Sequence, residues 1–387
     1  MGVRYKTRAL ARSARECLAV ATAGFMLSML AASDTLFAAD DALPYTFSFG
    51  VQGSAFHCDS QCIYGEREPS SVTDSVTAAG LNNVSLSGTA AVSPQLKLTL
   101  GAQYTGSGPE PGDQQLDLML AIVRLELSDP INFWIGRFFT PSDRPNLDGP
   151  YFTNNLAGFV DGIAGSYPSE HFGADDGIAY WGDFGRLKVS LGAFDGRSVT
   201  SAVPNKDTVL GSARVMVDFW DKESGYLLRS NSYGTQNVLA LAIAGQSEDG
   251  RGAWNVDGLL DRRVGAGGAV TGEVEYLQDN GLSASTPSRG AFLMSGYLLP
   301  MRLGAGQLQP LLKYSVKRFE AVATAPAYTL TTLEANLDYI ISGADALIGF
   351  YYLKQHNLLR AVSAPFGSTQ VQFIDPQELG IKLQFRL

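Results

Sequence analysis

The sequence predicts an all-β fold, a transmembrane antiparallel β-barrel of about 16 strands. Three observations predict it. The last segment, residues 377–387, alternates without a break: Leu379, Ile381, Leu383, Phe385 and Leu387 are apolar, against Glu378, Lys382, Gln384 and Arg386. A period of two makes a strand with one greasy and one polar face. A strand at a chain terminus leaves an edge that invites aggregation, and barrel closure removes that edge. Second, similar half-polar segments of about ten residues recur along the chain, the length of a tilted bilayer-crossing strand. Third, beyond residue 39 no apolar run reaches helix-spanning length, although the chain is rich in Gly (42), Phe (20) and Tyr (16). That combination fits an outer-membrane barrel better than a periplasmic enzyme.

The N-terminus sets the compartment. Arg4, Lys6, Arg8, Arg12 and Arg15 precede an apolar run over 17–32, which is followed by Leu36-Phe37-Ala38-Ala39-Asp40. This pattern is that of a secretory signal peptide, cleaved after Ala38 or Ala39. Residues 1–39 are therefore expected to be removed, leaving 40–387 as the barrel domain. The leader carries five basic and two acidic residues, so the remainder is more acidic than the formal −9 of the whole chain. Nucleic-acid binding needs clustered basic charge and is not expected.

The strands are expected at 44–56, 84–94, 96–106, 116–128, 131–141, 176–182, 186–196, 208–220, 236–247, 253–263, 267–278, 290–299, 306–318, 329–341, 345–356 and 377–387. Alternation is clearest in Tyr45, Phe47, Phe49 and Val51; in Leu96, Leu98 and Leu100; and in Leu333, Ala335, Leu337 and Tyr339. A seventeenth candidate, 225–234, has an apolar pair followed by a polar cluster. An even strand number with both termini on one side excludes it, so it is expected to be an extended periplasmic connector. Short turns such as Ser93-Pro94-Gln95 roughly alternate with longer loops over 57–83, 107–115, 142–176, 197–207, 279–289, 319–328 and 357–376.

Several segments resemble bacterial porins of the phosphate-selective porin O and P family. They are Arg214-Val215-Met216-Val217-Asp218-Phe219-Trp220-Asp221-Lys222-Glu223-Ser224-Gly225-Tyr226, then Ser232-Tyr233-Gly234 with Asn237-Val238-Leu239-Ala240-Leu241, and Gly306-Gln307-Leu308-Gln309-Pro310. Gly136-Arg137 followed by Pro141 is similar to the fifth strand of many porins, which feeds an inward-folding loop. The resemblance covers most of 130–387 and implies a 16-stranded trimeric pore. The named members look basic at their constriction, and this chain departs from that.

A pore needs a wet lumen and a narrowing. The pore-wall charges read from parity are Lys97, Arg124, Arg186, Lys188, Arg214, Lys313, Lys317 and Lys382, with Arg263 and Arg386 as further inward basic candidates. Inward acidic candidates include Glu126, Asp218, Asp257, Asp261, Glu273, Glu275, Glu334 and Asp338. Arg137 joins the wall set if Trp134 and Phe138 face lipid, whereas strict alternation places it with Phe133 and Ile135. The constriction candidate is the third external loop, 142–176, the longest connection, expected to fold into the pore. Its charges are Asp143, Asp148, Asp161, Glu170, Asp175 and Asp176 against Arg144 alone. Facing Lys97, Arg186, Lys188 and Arg214, such a loop would set a transverse field that discriminates solutes by charge.

Chemistry other than transport has little support. His57, His171 and His356 fall in predicted external loops, and no zinc, phosphate-loop or dinucleotide motif is present. No cofactor, metal or enzymatic activity is expected. Cys58 and Cys62, in an oxidising compartment, are expected to form a small loop disulfide. The leading expectation is an outer-membrane porin, a homotrimer embedded in lipid, passing small hydrophilic solutes and ions by passive diffusion. The alternatives are a substrate-specific anion or phosphate channel and a barrel serving as scaffold, an adhesin or electron-transfer sheath.

Overall fold

The computed structural model of the chain describes residues 44–59, 76–106, 114–149, 151, 152, 154, 173–196, 208–282, 286–321, 326–363 and 369–387. In chain order the strands are β1 (Tyr45–Cys58), β2 (Val76–Ala91), β3 (Leu96–Gly106), β4 (Gln114–Ser128), β5 (Ile131–Phe139), β6 (Ala174–Phe184), β7 (Leu187–Phe194), β8 (Leu210–Asp218), β9 (Val238–Glu248) and β10 (Arg251–Val264). They continue with β11 (Gly268–Asp279), β12 (Ser288–Leu298), β13 (Arg302–Leu303), β14 (Gly306–Phe319), β15 (Tyr328–Ser342), β16 (Ala346–His356), β17 (Leu358–Ser363), β18 (Thr369–Ile374) and β19 (Gln377–Arg386). One short helix, α1 (Arg144–Asp148), follows β5.

Sixteen of these strands close a single antiparallel barrel. Each pairs with the next, β12 passes to β14, β16 passes to β19, and β19 closes on β1. The closing register runs from Gly50↔Arg386 to Cys58↔Glu378. Beyond it, Phe49 and Leu387 exchange both backbone hydrogen bonds, at 2.9 and 2.8 Å. β13 is a two-residue extension beside β14, and β17–β18 form a separate hairpin within the connection from β16 to β19. All sixteen predicted strands are present, and 225–234 forms no strand. Closure is the physical requirement here, since an open edge in lipid has no water to satisfy it.

Connections are mostly short at one end of the barrel, the turn end, and longer at the other, the loop end. Two depart from this rule. At the loop end, β9 and β10 are joined by Asp249 and Gly250 alone, with φ of +47° and +73°. A two-residue turn with both centres left-handed matches strand twist, and an Asp-Gly pair adopts it at low cost. At the turn end, 219–237 is long, and its path is described below.

Two expectations about the strands are corrected. β1 extends to Cys58, so His57 and Cys58 belong to a strand and not to the first loop. His356 is the last residue of β16, where the strand expected at 345–356 also ends. Ladder hydrogen bonds with β19 carry β1 past the point where its apolar alternation ends. Asp175 and Asp176 lie in β6 and not in the third loop.

Candidate functional site

Side-chain parity divides the barrel wall as a membrane barrel requires. Leu98, Leu100, Ile135, Ile178, Leu191, Ile243, Leu293, Leu312, Phe350 and Leu383 stand exposed on the outside. Gln52, Thr99, Gln103, Asn255, Lys313, Asn336, Asp338, Lys382 and Gln384 alternate with such residues and are buried inside. Charged side chains are placed inside because lipid contact at mid-depth costs about 2–4 kcal/mol for Arg or Lys.

Seven of the nine predicted wall charges face the lumen. Lys97 and Arg124 both bond Glu126, with contacts of 2.7 Å each, and Arg124 lies 4.8 Å from the Trp134 ring centroid. Lys188 donates to the Gly225 carbonyl. Arg214 is held by Asp257 through two bonds of 2.5 and 2.8 Å. Lys313 stands 4.2 Å from the Phe292 ring centroid, Lys317 stands 5.3 Å from that of Phe319, and Lys382 meets Asp338 at 3.5 Å.

The other two are corrections. Arg137 faces outward and pairs with Asp176 at 2.7 Å, because strict alternation holds through β5 and turns Trp134 and Phe138 into the lumen. Arg186 is exposed in the turn between β6 and β7. Gly185 there has φ of +76°, and β7 begins at Leu187, one residue later than the expected strand.

The described part of the third loop enters the barrel. α1 is started by Asp143, whose carboxylate accepts the Asn146 amide at 3.3 Å, with Pro145 in the first turn where its missing N–H does no harm. Asp143, Arg144 and Asp148 are all buried. Asp161 lies outside the described residues. The loop crosses to the far wall. Tyr151 bonds Asn83 of β2 at 3.1 Å, and its carbonyl accepts from Gln384 of β19 at 3.1 Å. Gly50 of β1 makes room, since a Cβ there would strike the Tyr151 ring.

The turn-end connector 219–237 rises to meet the loop from below. Its Tyr226 ring sits 4.6 Å from that of Trp134, with Phe138 and Trp181 at 5.9 and 6.4 Å, and its hydroxyl donates to the Phe139 carbonyl at 2.6 Å. The two segments then join along their backbones. Leu228 N donates to Leu147 O at 3.2 Å, and Ser230 N donates to Phe152 O at 3.1 Å. Asn154 donates to Ser230 O at 2.7 Å, and Ser230 donates to Asp148. At the centre, Arg144 makes a bidentate pair with Glu223 at 2.8 and 2.7 Å, and its Nη1 also reaches Arg229 O at 3.0 Å. Burial disfavours the Arg144 charge, but the carboxylates of Glu223, Asp148 and Asp257 more than offset it and raise its pKa above the ordinary guanidinium value.

This partition rests on a hydrophobic core inside the lumen. Met119, Ile122, Trp134, Phe138, Leu147, Met216, Tyr226 and Leu228 belong to it, together with Ala174, Ala179, Ala240, Ala242 and Ala253 from the walls. Small inward residues on β6, β9 and β10 leave space for the loop and the connector. β9 departs from the half-polar pattern, since its inward Ala240, Ala242 and Ala244 are apolar.

The electrostatics also differ from a simple acid loop facing a basic wall. Arg214 touches the loop, donating to Ser142 O at 2.7 Å. Lys97 and Lys188 are engaged elsewhere, and Arg186 is exposed in its turn. The wall beside the loop carries Asp257, Glu273 and Glu275. Among the described residues, fifteen Asp and Glu side chains are buried against six Lys and Arg, so the interior is acidic.

Sequence reasoning missed the inward path of the connector and the role of Glu223. The available signal was Tyr226 and Leu228 at period two, followed by the polar Ser230-Asn231, a pattern too short to separate a strand from an inward strap. The histidines gather no site: His57 contacts Thr77 at 2.8 Å, His356 pairs with Asp375, and His171 lies outside the described residues. Cys58 is disulfide-bonded, and Cys62 lies outside the described residues.

No family model matches the sequence, and no curated protein matches it. Solved structures do. An anion-selective porin from Comamonas acidovorans superposes with a TM-score of 0.56 at 12% identity, over 89% of this chain and 100% of that one. The outer membrane channel DcaP of Acinetobacter baumannii gives 0.56 at 12% identity, over 91% and 99%. Salmonella typhi OmpF, solved in complex with daunomycin, gives 0.57 at 12% identity, over 90% and 99%. The chain is similar in fold to outer-membrane porins of 16 strands across nearly its whole length.

Proposed function

We propose that this protein is an outer-membrane porin, a water-filled channel for passive diffusion of small hydrophilic solutes and ions. Residues 1–39 are its removable leader, and the working unit is a homotrimer, as the resemblance to porins implies. The observation that carries the reading is the closed barrel, apolar outside and charged inside, with the third loop folded into its lumen. A soluble sandwich has no use for a ring of exposed Leu, Ile and Phe around a charged interior. The acidic excess inside supports a preference for cations. It counts against the narrower phosphate-selective reading, which now rests on the quoted segments alone.

Reconstitution into a planar bilayer under a salt gradient tests both parts. Discrete ohmic steps with a reversal potential on the cation side are expected. Asp148→Asn and Glu275→Gln are expected to move that potential toward anions. An absence of steps from folded protein overturns the channel, and an anion-side potential in the wild type revives the anion-channel alternative.

A further inference from the structure

Arg262 and Arg263 stand at the turn end of β10, one on each face. Arg262 follows Trp254, Val256, Gly258 and Leu260 on the outward face. Its guanidinium carbon lies 5.4 Å from the centroid of the Trp220 ring. Its backbone pairs with Val270 of β11, while among the described residues its side chain has no hydrogen-bond or ion-pair partner. Arg263 is anchored: its Nε donates to Gly234 O at 2.8 Å, and its amide donates to Asn237 Oδ1 at 3.0 Å. With Trp220, Asn237 and Gly265 these arginines line an open cavity of about 570 Å³. Among the described residues no carboxylate lines it, and the neighbouring Asp221 is engaged with the Asn237 amide at 2.7 Å.

The position selects the ligand. The cavity lies at the rim, where the outward surface of β8–β10 changes from apolar to charged. Above it Val215, Leu241 and Val256 are exposed. An arginine on a lipid-facing row is tolerable where its head reaches the headgroup layer, and tryptophan favours the same depth. A guanidinium fork matches a phosphate bidentately. Free phosphate would use the cations and ignore the apolar rows. A phospholipid uses both.

We propose that this cavity seats the phosphate of one phospholipid from the leaflet at the turn end, with its acyl chains along the outward rows of β8–β10. The inference rests on the barrel standing in a membrane and not on what the pore passes.

The full chain, purified and delipidated in detergent, can be titrated with phosphatidylglycerol, with a diacylglycerol of the same chains and with inorganic phosphate, and read by native mass spectrometry. One phosphatidylglycerol per barrel is expected to survive activation that strips the rest. Arg262→Gln and Trp220→Leu are each expected to weaken that retention, the first by at least about tenfold, whereas Arg262→Lys keeps most of it. Heat-modifiable migration confirms that each variant is folded. Equal retention by Arg262→Gln and wild type, equal retention of diacylglycerol, or displacement by an equal concentration of inorganic phosphate each overturns the proposal. Protease protection in vesicles, scored separately, distinguishes failure of the membrane reading from failure of this site.

Discussion

The pair Arg144–Glu223 joins two segments that enter the lumen from opposite ends, so breaking it is the most direct test of the partition. Arg144 is fully buried and Glu223 is 8% exposed, with two bonds of 2.8 and 2.7 Å between them. Replacing Glu223 by Gln keeps the volume but leaves a buried guanidinium supported by Arg229 O at 3.0 Å and Asp257 at 4.0 Å. Removing one partner of a buried pair costs about 3–5 kcal/mol. At about 1.4 kcal/mol per decade, the undocked loop becomes more populated by about two to three and a half powers of ten. The barrel itself should persist, because its ladder does not pass through either segment. Single-channel recording of Glu223→Gln is therefore expected to show excess open-channel noise, a larger mean conductance and a reversal potential moved toward anions as Arg144 is released. The double variant Arg144→Met with Glu223→Met removes both charges, while Asp148 keeps its bond from Ser230 and Asp257 keeps Arg214, so it should recover a quiet channel. A quiet Glu223→Gln channel of unchanged conductance would refute the lock, and a double variant no quieter than the single one would refute its electrostatic basis.

Deleting 377–387 removes the partner of both β1 and β16 and is expected to abolish heat-modifiable, membrane-inserted protein; normal insertion would contradict closure at that seam. Cys58→Ser is expected to leave conductance unchanged, since Cys58 sits at the loop end of β1, far along the strand from Gly50, where Tyr151 packs; a changed conductance would tie the disulfide to the pore. At the loop end, the Asn357 amide and then His356 hold the Asp375 carboxyl below its ordinary pKa. This contact is complete above the ordinary aspartate value and is lost as pH falls through the lowered one. Exchange of the Asn357 amide should accelerate across that acid window and lose its pH step in Asp375→Asn; an amide indifferent to both changes would show that the carboxylate does not hold it.

Much of this protein was legible from its residues alone. The two-faced wall follows from period-two alternation, because in a membrane barrel each side chain meets either lipid or lumen, and the strand number follows from that alternation together with the even count that excludes 225–234. Seven of nine wall charges followed from the same parity. Arg137 stayed open between the two faces because the choice between Trp134 and Arg137 as the inward residue depends on what fills the lumen. Only the folded barrel places Tyr226 there to receive Trp134. The partition was decided by tertiary structure for the same reason. Arg144 and Glu223 are 79 residues apart, and neither carries a local signal of the other. The alanines of β9 read as an ordinary strand until the loop and connector are seen to occupy the space they leave. Local alternation encodes which face a residue takes. What that face touches depends on closure, which brings distant segments into one confined volume.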